Sequence, residues 1–214
     1  MAILEDITSA VIRGKRKEVS ALVQTAIDEG VSAQTVLQDG LMPGMDVVGE
    51  KFSKNEMFVP EMLVAARAMT AGINLLKPLL QEEGVQNIGR ACIGTVQGDL
   101  HDIGKNLVAM MMESKGIEII DLGVDVSPEK FVQTAIDEHC DIIACSALLT
   151  TTMPVMEEVV KAAESAGIRD KVTIMVGGAP LTQAYCDKIG ADIYTKDASE
   201  AASAAASALA AKSA

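Results

Sequence analysis

Apolar positions along the chain change their period once, near residue 84. Before it they recur at three- and four-residue steps, the mark of helix. Ile3, Leu4, Ile7 and Val11 share one face of a first segment, and Val19, Leu22, Val23, Ala26 and Ile27 one face of a second. A third starts near Ser32, a suitable N-cap, and carries Val36, Leu37 and Leu41. Gly40, Pro43 and Gly44 predict a bend or break there, before Met45, Val48 and Phe52 resume the pattern. The longest segment follows Pro60, with Leu63, Ala66, Met69, Ile73, Leu76 and Leu80 in step, and Gly84 marks its end. Four helices with short connections predict a small antiparallel bundle over 1–84.

After Gly84 the runs are short and apolar or β-branched, at 91–96, 117–122, 141–146, 172–176 and 192–195. Helical stretches lie between and after them, at 103–114, 128–139, 153–166, 181–189 and 198–212. Strand–helix alternation of this kind predicts a parallel sheet with helices on both faces, doubly wound because crossovers are right-handed. The polar residues 85–90 read as a linker, and 91–214 as a second, α/β domain.

Composition narrows the function. Thirty acidic against eighteen basic residues give a net charge of −12, and aromatics make up 2% with no Trp. That argues against nucleic acid or an anionic membrane surface as partner, since both select basic and, for RNA, aromatic surfaces. No apolar run approaches the roughly 18 residues of a membrane span, and the N-terminal residues lack a signal-peptide core, so a cytoplasmic protein is expected. The four cysteines show no CxxC spacing and read as buried reduced thiols.

In a doubly wound sheet, ligands sit beyond the carboxyl ends of the strands. The first such loop places Asp99 and His101 two residues apart, between Gly98 and Gly104. In an extended loop both side chains point to one side, so the carboxylate can accept one imidazole N–H while the other nitrogen faces outward. Gly98 and Gly104 leave the backbone open to a large flat ligand. Three other readings stand beside this one: Asp99 or Asp102 as a plain helix cap with His101 solvated, a metal site begun by the histidine and its flanking acids, and a nucleophile pair of His101 with Cys145 or Ser146. The second loop carries Thr150, Thr151 and Thr152, one of which is expected to cap the next helix. The third carries Gly177 and Gly178 before Ala179. Neither GxGxxG nor GxxxxGK[ST] is present.

GDLHDIGKN contains D-x-H-x-x-G, and Ser146-x-Leu148 and Gly177-Gly178 follow it in order. Together these resemble the fingerprint of the cobalamin-binding, flavodoxin-like domain. Residues 39–69 resemble the helical cap of cobalamin-dependent methionine synthase and of the small corrinoid proteins of methanogens and acetogens, so the likeness covers nearly the whole chain. It implies that His101 is the lower axial ligand to cobalt, displacing the cofactor's own base (base-off, His-on), with Asp99 on the far imidazole nitrogen. The family's third relay member is a serine, and Thr152 stands there, keeping the hydroxyl and adding a methyl group. The same motif sets Gly98, Leu100, Asp102, Ile103 and Gly104 against the cofactor. Ser146, Leu148, Thr150, Gly177, Gly178 and Ala179 would line the slot for the displaced nucleotide tail, with Tyr194 and Ala198 at its far side.

In the cap, Phe52, Val59 and Met62 match positions over the methyl-bearing face, and Asp39 matches a carboxylate at the corrin edge. The implied protein is a methyl carrier, without catalytic activity of its own. Its methylcobalamin is loaded by a substrate-specific methyltransferase from a methylated amine, betaine, methanol or aryl methyl ether. A second methyltransferase unloads it to a thiol or tetrahydrofolate, and a reductase reactivates the corrinoid. A cobalamin-dependent sensor and the B12-binding subunit of an adenosylcobalamin mutase are the alternatives that share parts of this architecture.

Overall fold

The computed structural model describes residues 2–85 and 87–212. Contacts divide the chain into two compact units, 1–86 and 87–214. The first is helical: α1 (Ala2–Ile12), α2 (Arg16–Asp28), α3 (Ala33–Thr35), α4 (Met42–Ser53) and α5 (Val59–Glu82), with a π turn over Val36–Leu41 joining α3 to α4. Ser32 caps α3 by accepting the Thr35 N–H at 3.1 Å. At the head of α5 the Phe58 N–H donates to the Glu61 carboxylate at 2.9 Å. The core is apolar, with Ile7, Val11, Val23, Leu41, Met45, Met69 and Leu76 all but sealed from solvent. The long helix α5 has the length and apolarity to cross a membrane, and one of its faces, including Met62, Ala65, Met69 and Leu76, forms part of this core.

The predicted break between residues 40 and 44 is absent: the chain stays helical, and one wider turn, closed by the Met42 N–H on the Leu37 carbonyl, absorbs the irregularity. Pro43 falls in the first turn of α4, where its missing N–H loses little. A Cβ on Gly44 would come within 2.7 Å of the Val11 side chain, so the glycine admits α1 rather than ending a helix.

The second unit alternates strand and helix: β1 (Gly89–Thr95), α6 (Ile103–Glu113), β2 (Ile117–Asp121), α7 (Pro128–Asp137), β3 (Ile142–Ser146), α8 (Pro154–Ser165), β4 (Thr173–Gly177), α9 (Gln183–Ile189), β5 (Ile193–Tyr194) and α10 (Ala198–Lys212). The strands lie parallel in the order β2-β1-β3-β4-β5, the flavodoxin-like winding, whose direction of progression reverses between β1 and β3. One face of the sheet closes over Cys92, Val96, Phe131, Ile143, Met156, Val160 and Ile174. All four cysteines are free and buried. Strands buried on both faces explain why they read as continuous apolar runs.

Candidate cofactor site

At the carboxyl edge of the sheet Thr95 pairs with Ser146, and Ser146 with Gly177, so three loops leave the sheet side by side. Gly98 turns the first with φ +82, a conformation a side chain would strain. Asp99 then turns inward and is fully buried, while 52% of the His101 side chain stays accessible. His101 Nδ1 lies 2.6 Å from Asp99 Oδ1, and the His101 backbone N–H donates to the same oxygen at 3.1 Å. Asp99 Oδ2 receives the Leu148 N–H at 2.8 Å, the Leu149 N–H at 3.1 Å and the Thr152 hydroxyl at 2.9 Å. The Thr95 hydroxyl donates to the His101 carbonyl at 2.8 Å.

Burial alone would raise the Asp99 carboxyl, but the hydrogen bonds from His101, Leu148 and Leu149 outweigh it and hold the group well below the usual carboxylate range. An ionised Asp99 only accepts, so Nδ1 carries the proton and a neutral ring keeps its lone pair on Nε2. No described residue bonds Nε2. Leu100 and Ile103 are 72% and 70% exposed, and Leu148 and Leu149 are exposed as well, an apolar rim about the ring. Gly104, in the first turn of α6, has no atom within 4 Å of where a Cβ would stand.

Two capping expectations fail. Asp102 heads α6 without a side-chain cap, and its Oδ2 instead receives the Asn106 side-chain amide at 3.2 Å. No threonine caps α8, because the Thr152 hydroxyl reaches Asp99 and the Leu149 carbonyl. Of the two nucleophile pairs, Cys145 lies in the sheet core, where burial pushes its thiol up, and among the described residues the bonded partner of the His101 ring is Asp99 rather than Ser146. Among the described residues no group of three or more His, Cys, Asp or Glu is placed to hold a metal ion, so a site built wholly from protein ligands has no support.

The other residues singled out by the sequence fall as follows. Ser146, Gly177 and Gly178 are half-buried at the ends of β3 and β4, with Leu148, Thr150 and Ala179 exposed just beyond. Gly178 has φ +140, and a Cβ there would lie 1.8 Å from the Ala147 carbonyl oxygen, so only glycine lets the second and third loops touch. Tyr194 is half-buried in β5, and Ala198 is buried at the head of α10. In the helical unit Asp39 is exposed in the π turn, Phe52 and Val59 are half-buried, and Met62 is buried. Direct bonds thus join Gly98's neighbour Asp99 to His101, Leu148 and Thr152, whereas Asp39, Phe52, Val59 and Met62 belong to the other unit.

Sequence reasoning missed Thr95, Leu149, Lys105 and Asp125, all of which bond within this loop system. Lys105, 2% exposed, gives its ammonium to both Asp121 oxygens at 2.6 and 2.7 Å and to Asn106 Oδ1 at 2.7 Å. Its signal was a lysine on the inner face of an amphipathic helix.

A flavodoxin-like sheet that presents a carboxylate-held histidine within an apolar rim, in a chain that also carries a helical unit, defines a cobalamin-binding class of protein. Comparison with known proteins places it further. The B12 binding domain family matches residues 89–206, and a second B12 binding domain family matches residues 3–77. Dimethylamine corrinoid protein 1 of Methanosarcina acetivorans is 42% identical over 200 residues, 93% of each chain. A corrinoid protein of Desulfitobacterium hafniense is 38% identical over 204 residues, 94% of each. Among solved structures, the methanol:cobalamin methyltransferase complex MtaBC of Methanosarcina barkeri contains a chain with a TM-score of 0.85 at 29% identity, covering 98% of this chain and 80% of that one. The chain belongs to the B12-binding corrinoid proteins of the methyltransferase type.

The residues fit such a group on structural grounds. A broad macrocycle would need space beside the histidine, apolar contacts, and an imidazole nitrogen not already bonded to the protein. Gly104, the rim of Leu100, Ile103, Leu148 and Leu149, and His101 Nε2 meet those needs in turn.

Proposed function

We propose that this chain is a methyl-carrying corrinoid protein that holds its cobalamin base-off and His-on, with His101 Nε2 as the protein's ligand to cobalt. One observation carries the reading: the 2.6 Å contact between His101 Nδ1 and a fully buried Asp99, on a ring whose other nitrogen is unbonded among described residues. The corrinoid, when bound, supplies the cobalt on which a methyl group is taken up and given away.

The chain's own residues set the conditions. Asp99 fixes the tautomer and ring plane of His101 and makes the imidazole a better donor. The Thr152 hydroxyl has one proton for two acceptors, Asp99 Oδ2 and the Leu149 carbonyl, each 2.9 Å away, so the donor strength felt by the Asp99–His101 pair is adjustable. Gly98 and Gly104 keep the approach open, and Leu100, Asp102, Ile103 and Leu148 contact the macrocycle, the apolar members excluding water. Ser146, Thr150, Gly177, Gly178, Ala179, Tyr194 and Ala198 take the displaced nucleotide tail. In a cap domain of residues 1–84, joined through 85–90 to a cobalamin domain of 91–214, Asp39, Phe52, Val59 and Met62 are the contacts on the methyl-bearing side.

Loading and unloading fall to separate cytoplasmic proteins: a donor-specific methyltransferase, an acceptor methyltransferase acting on a thiol or tetrahydrofolate, and a reactivating reductase. Likeness to the dimethylamine corrinoid proteins favours a methylated amine as donor. The test is the visible spectrum of protein reconstituted with hydroxocobalamin, beside His101→Ala. A His-on spectrum lost in the variant, with methylation only when a donor methyltransferase and its amine are added, supports the reading. Binding that ignores His101 overturns it.

A further inference from the structure

We infer that Asp125, in the loop after β2, is a positioning residue that sets the His101 ring by bracketing the backbone of the histidine loop. The inference rests on the proposed role of His101 and adds a residue outside its motif. Asp125 is not a glycine, yet it takes φ +56, a left-handed conformation that costs about 1 kcal/mol. Observed strain of this kind points to function when the surroundings hold it in place.

Here the surroundings are the histidine loop itself. Asp125 Oδ1 accepts the Gly98 N–H at 2.7 Å, and the Asp125 N–H donates to the Asp99 carbonyl at 3.1 Å. The two bonds grip the Gly98–Asp99 step from both sides, immediately before the carboxylate that orients His101. Just upstream, the Thr95 N–H donates to the Gly123 carbonyl at 2.9 Å and the Val126 N–H to the Thr95 carbonyl at 3.0 Å. The pairing of β1 with β2 therefore runs on past the strand ends to a bridge between Val96 and Val126, immediately after Asp125. The direction in which Asp99 leaves the backbone, and with it the plane of the imidazole, is fixed from β2 as well as from β3.

The three substitutions at Asp125 separate strain from bonding. Asparagine keeps an acceptor oxygen and tolerates positive φ, glycine keeps the φ but removes the acceptor, and alanine loses both. Each variant, with wild type and His101→Ala, is reconstituted with hydroxocobalamin for its lower-ligand spectrum. Each apo protein is recorded by proton–nitrogen correlation of the histidine rings, with His101→Ala assigning the signal.

The expected result is wild-type behaviour for Asp125→Asn in both measurements. Asp125→Gly and Asp125→Ala shift the His101 ring signals and raise the His-off to His-on ratio about tenfold, the weight of one hydrogen bond. If glycine behaves as wild type, the carboxylate has no positioning role and the inference fails, while the His101 ligand reading stands on His101→Ala. If His101→Ala leaves the corrinoid spectrum unchanged, the ligand reading falls. The apo ring signals then decide Asp125 alone: shifted in glycine and alanine but not asparagine upholds it, and unshifted overturns it.

Discussion

Thr152 Oγ1 stands 2.9 Å from Asp99 Oδ2, the carboxylate oxygen that His101 does not use. One carboxylate thus divides its two oxygens between two loops, Oδ1 serving the histidine loop and Oδ2 the loop after β3. Thr152→Val removes a buried donor but leaves the Leu148 and Leu149 amides in place, so it is expected to cost about 1 kcal/mol in denaturant unfolding. Thr152→Ser keeps the donor and loses only the methyl group packed at Gly98, so its loss should be smaller than that of valine.

Gly104 is a glycine in a helix with open space where its side chain would be. Glycine there costs stability that alanine would recover, about 0.5–1 kcal/mol. Gly104→Ala is expected to raise the melting temperature of the apo protein while weakening hydroxocobalamin binding in a titration. An alanine variant that binds corrinoid as well as wild type would remove the ligand as the reason for this glycine.

The paired glycines after β4 should part company. Gly178→Ala drives a Cβ into the Ala147 carbonyl at positive φ and is expected to destabilise the fold by well over about 1 kcal/mol. Gly177→Ala meets only the Thr195 carbonyl at an ordinary 3.8 Å, so its melting temperature should stay near wild type. Its effect is to be sought in corrinoid affinity instead.

The Lys105–Asp121 pair is lopsided, the lysine side chain 2% exposed and the aspartate 48%. Removing the aspartate strands a buried ammonium, and Asp121→Ala is expected to cost roughly 3 kcal/mol. Lys105→Met leaves a carboxylate that water can reach, and should cost about 1 kcal/mol. Urea unfolding of both variants checks the order, which a symmetric ion pair would not show.

Strands and helices of the second unit were legible because each carries its own period: β1 and β3 are buried on both faces and read as unbroken apolar runs, whereas the caps Ser127 and Thr182 emerge only in the structure. The helical unit was legible in its faces but not at residues 40–44. There Gly40 and Gly44 answer to Ile7 and Val11 across the bundle, a packing demand indistinguishable locally from a helix breaker. In the site, Asp99 and His101 were visible as neighbours two residues apart. The destination of the Thr152 hydroxyl, 53 residues from Asp99, was not, and it defeated the expectation of a helix cap. Asp125 gave no sign at all, since neither a left-handed backbone at aspartate nor its bond to Gly98 leaves a periodic trace.

The π turn over Val36–Leu41 holds one residue more than an α-helical ladder would count. It therefore acts as a phase shifter: each residue of an α-helix advances the side-chain direction by about 100°. Winding the same residues as regular α-helix would swing everything after the turn by about that angle, turning Met45 and Val48 out of the core, whereas deleting one residue together with the wide turn would leave their faces in place. Asp39 is aimed by the same count. For this helix the number of residues is as much an instruction as their identity.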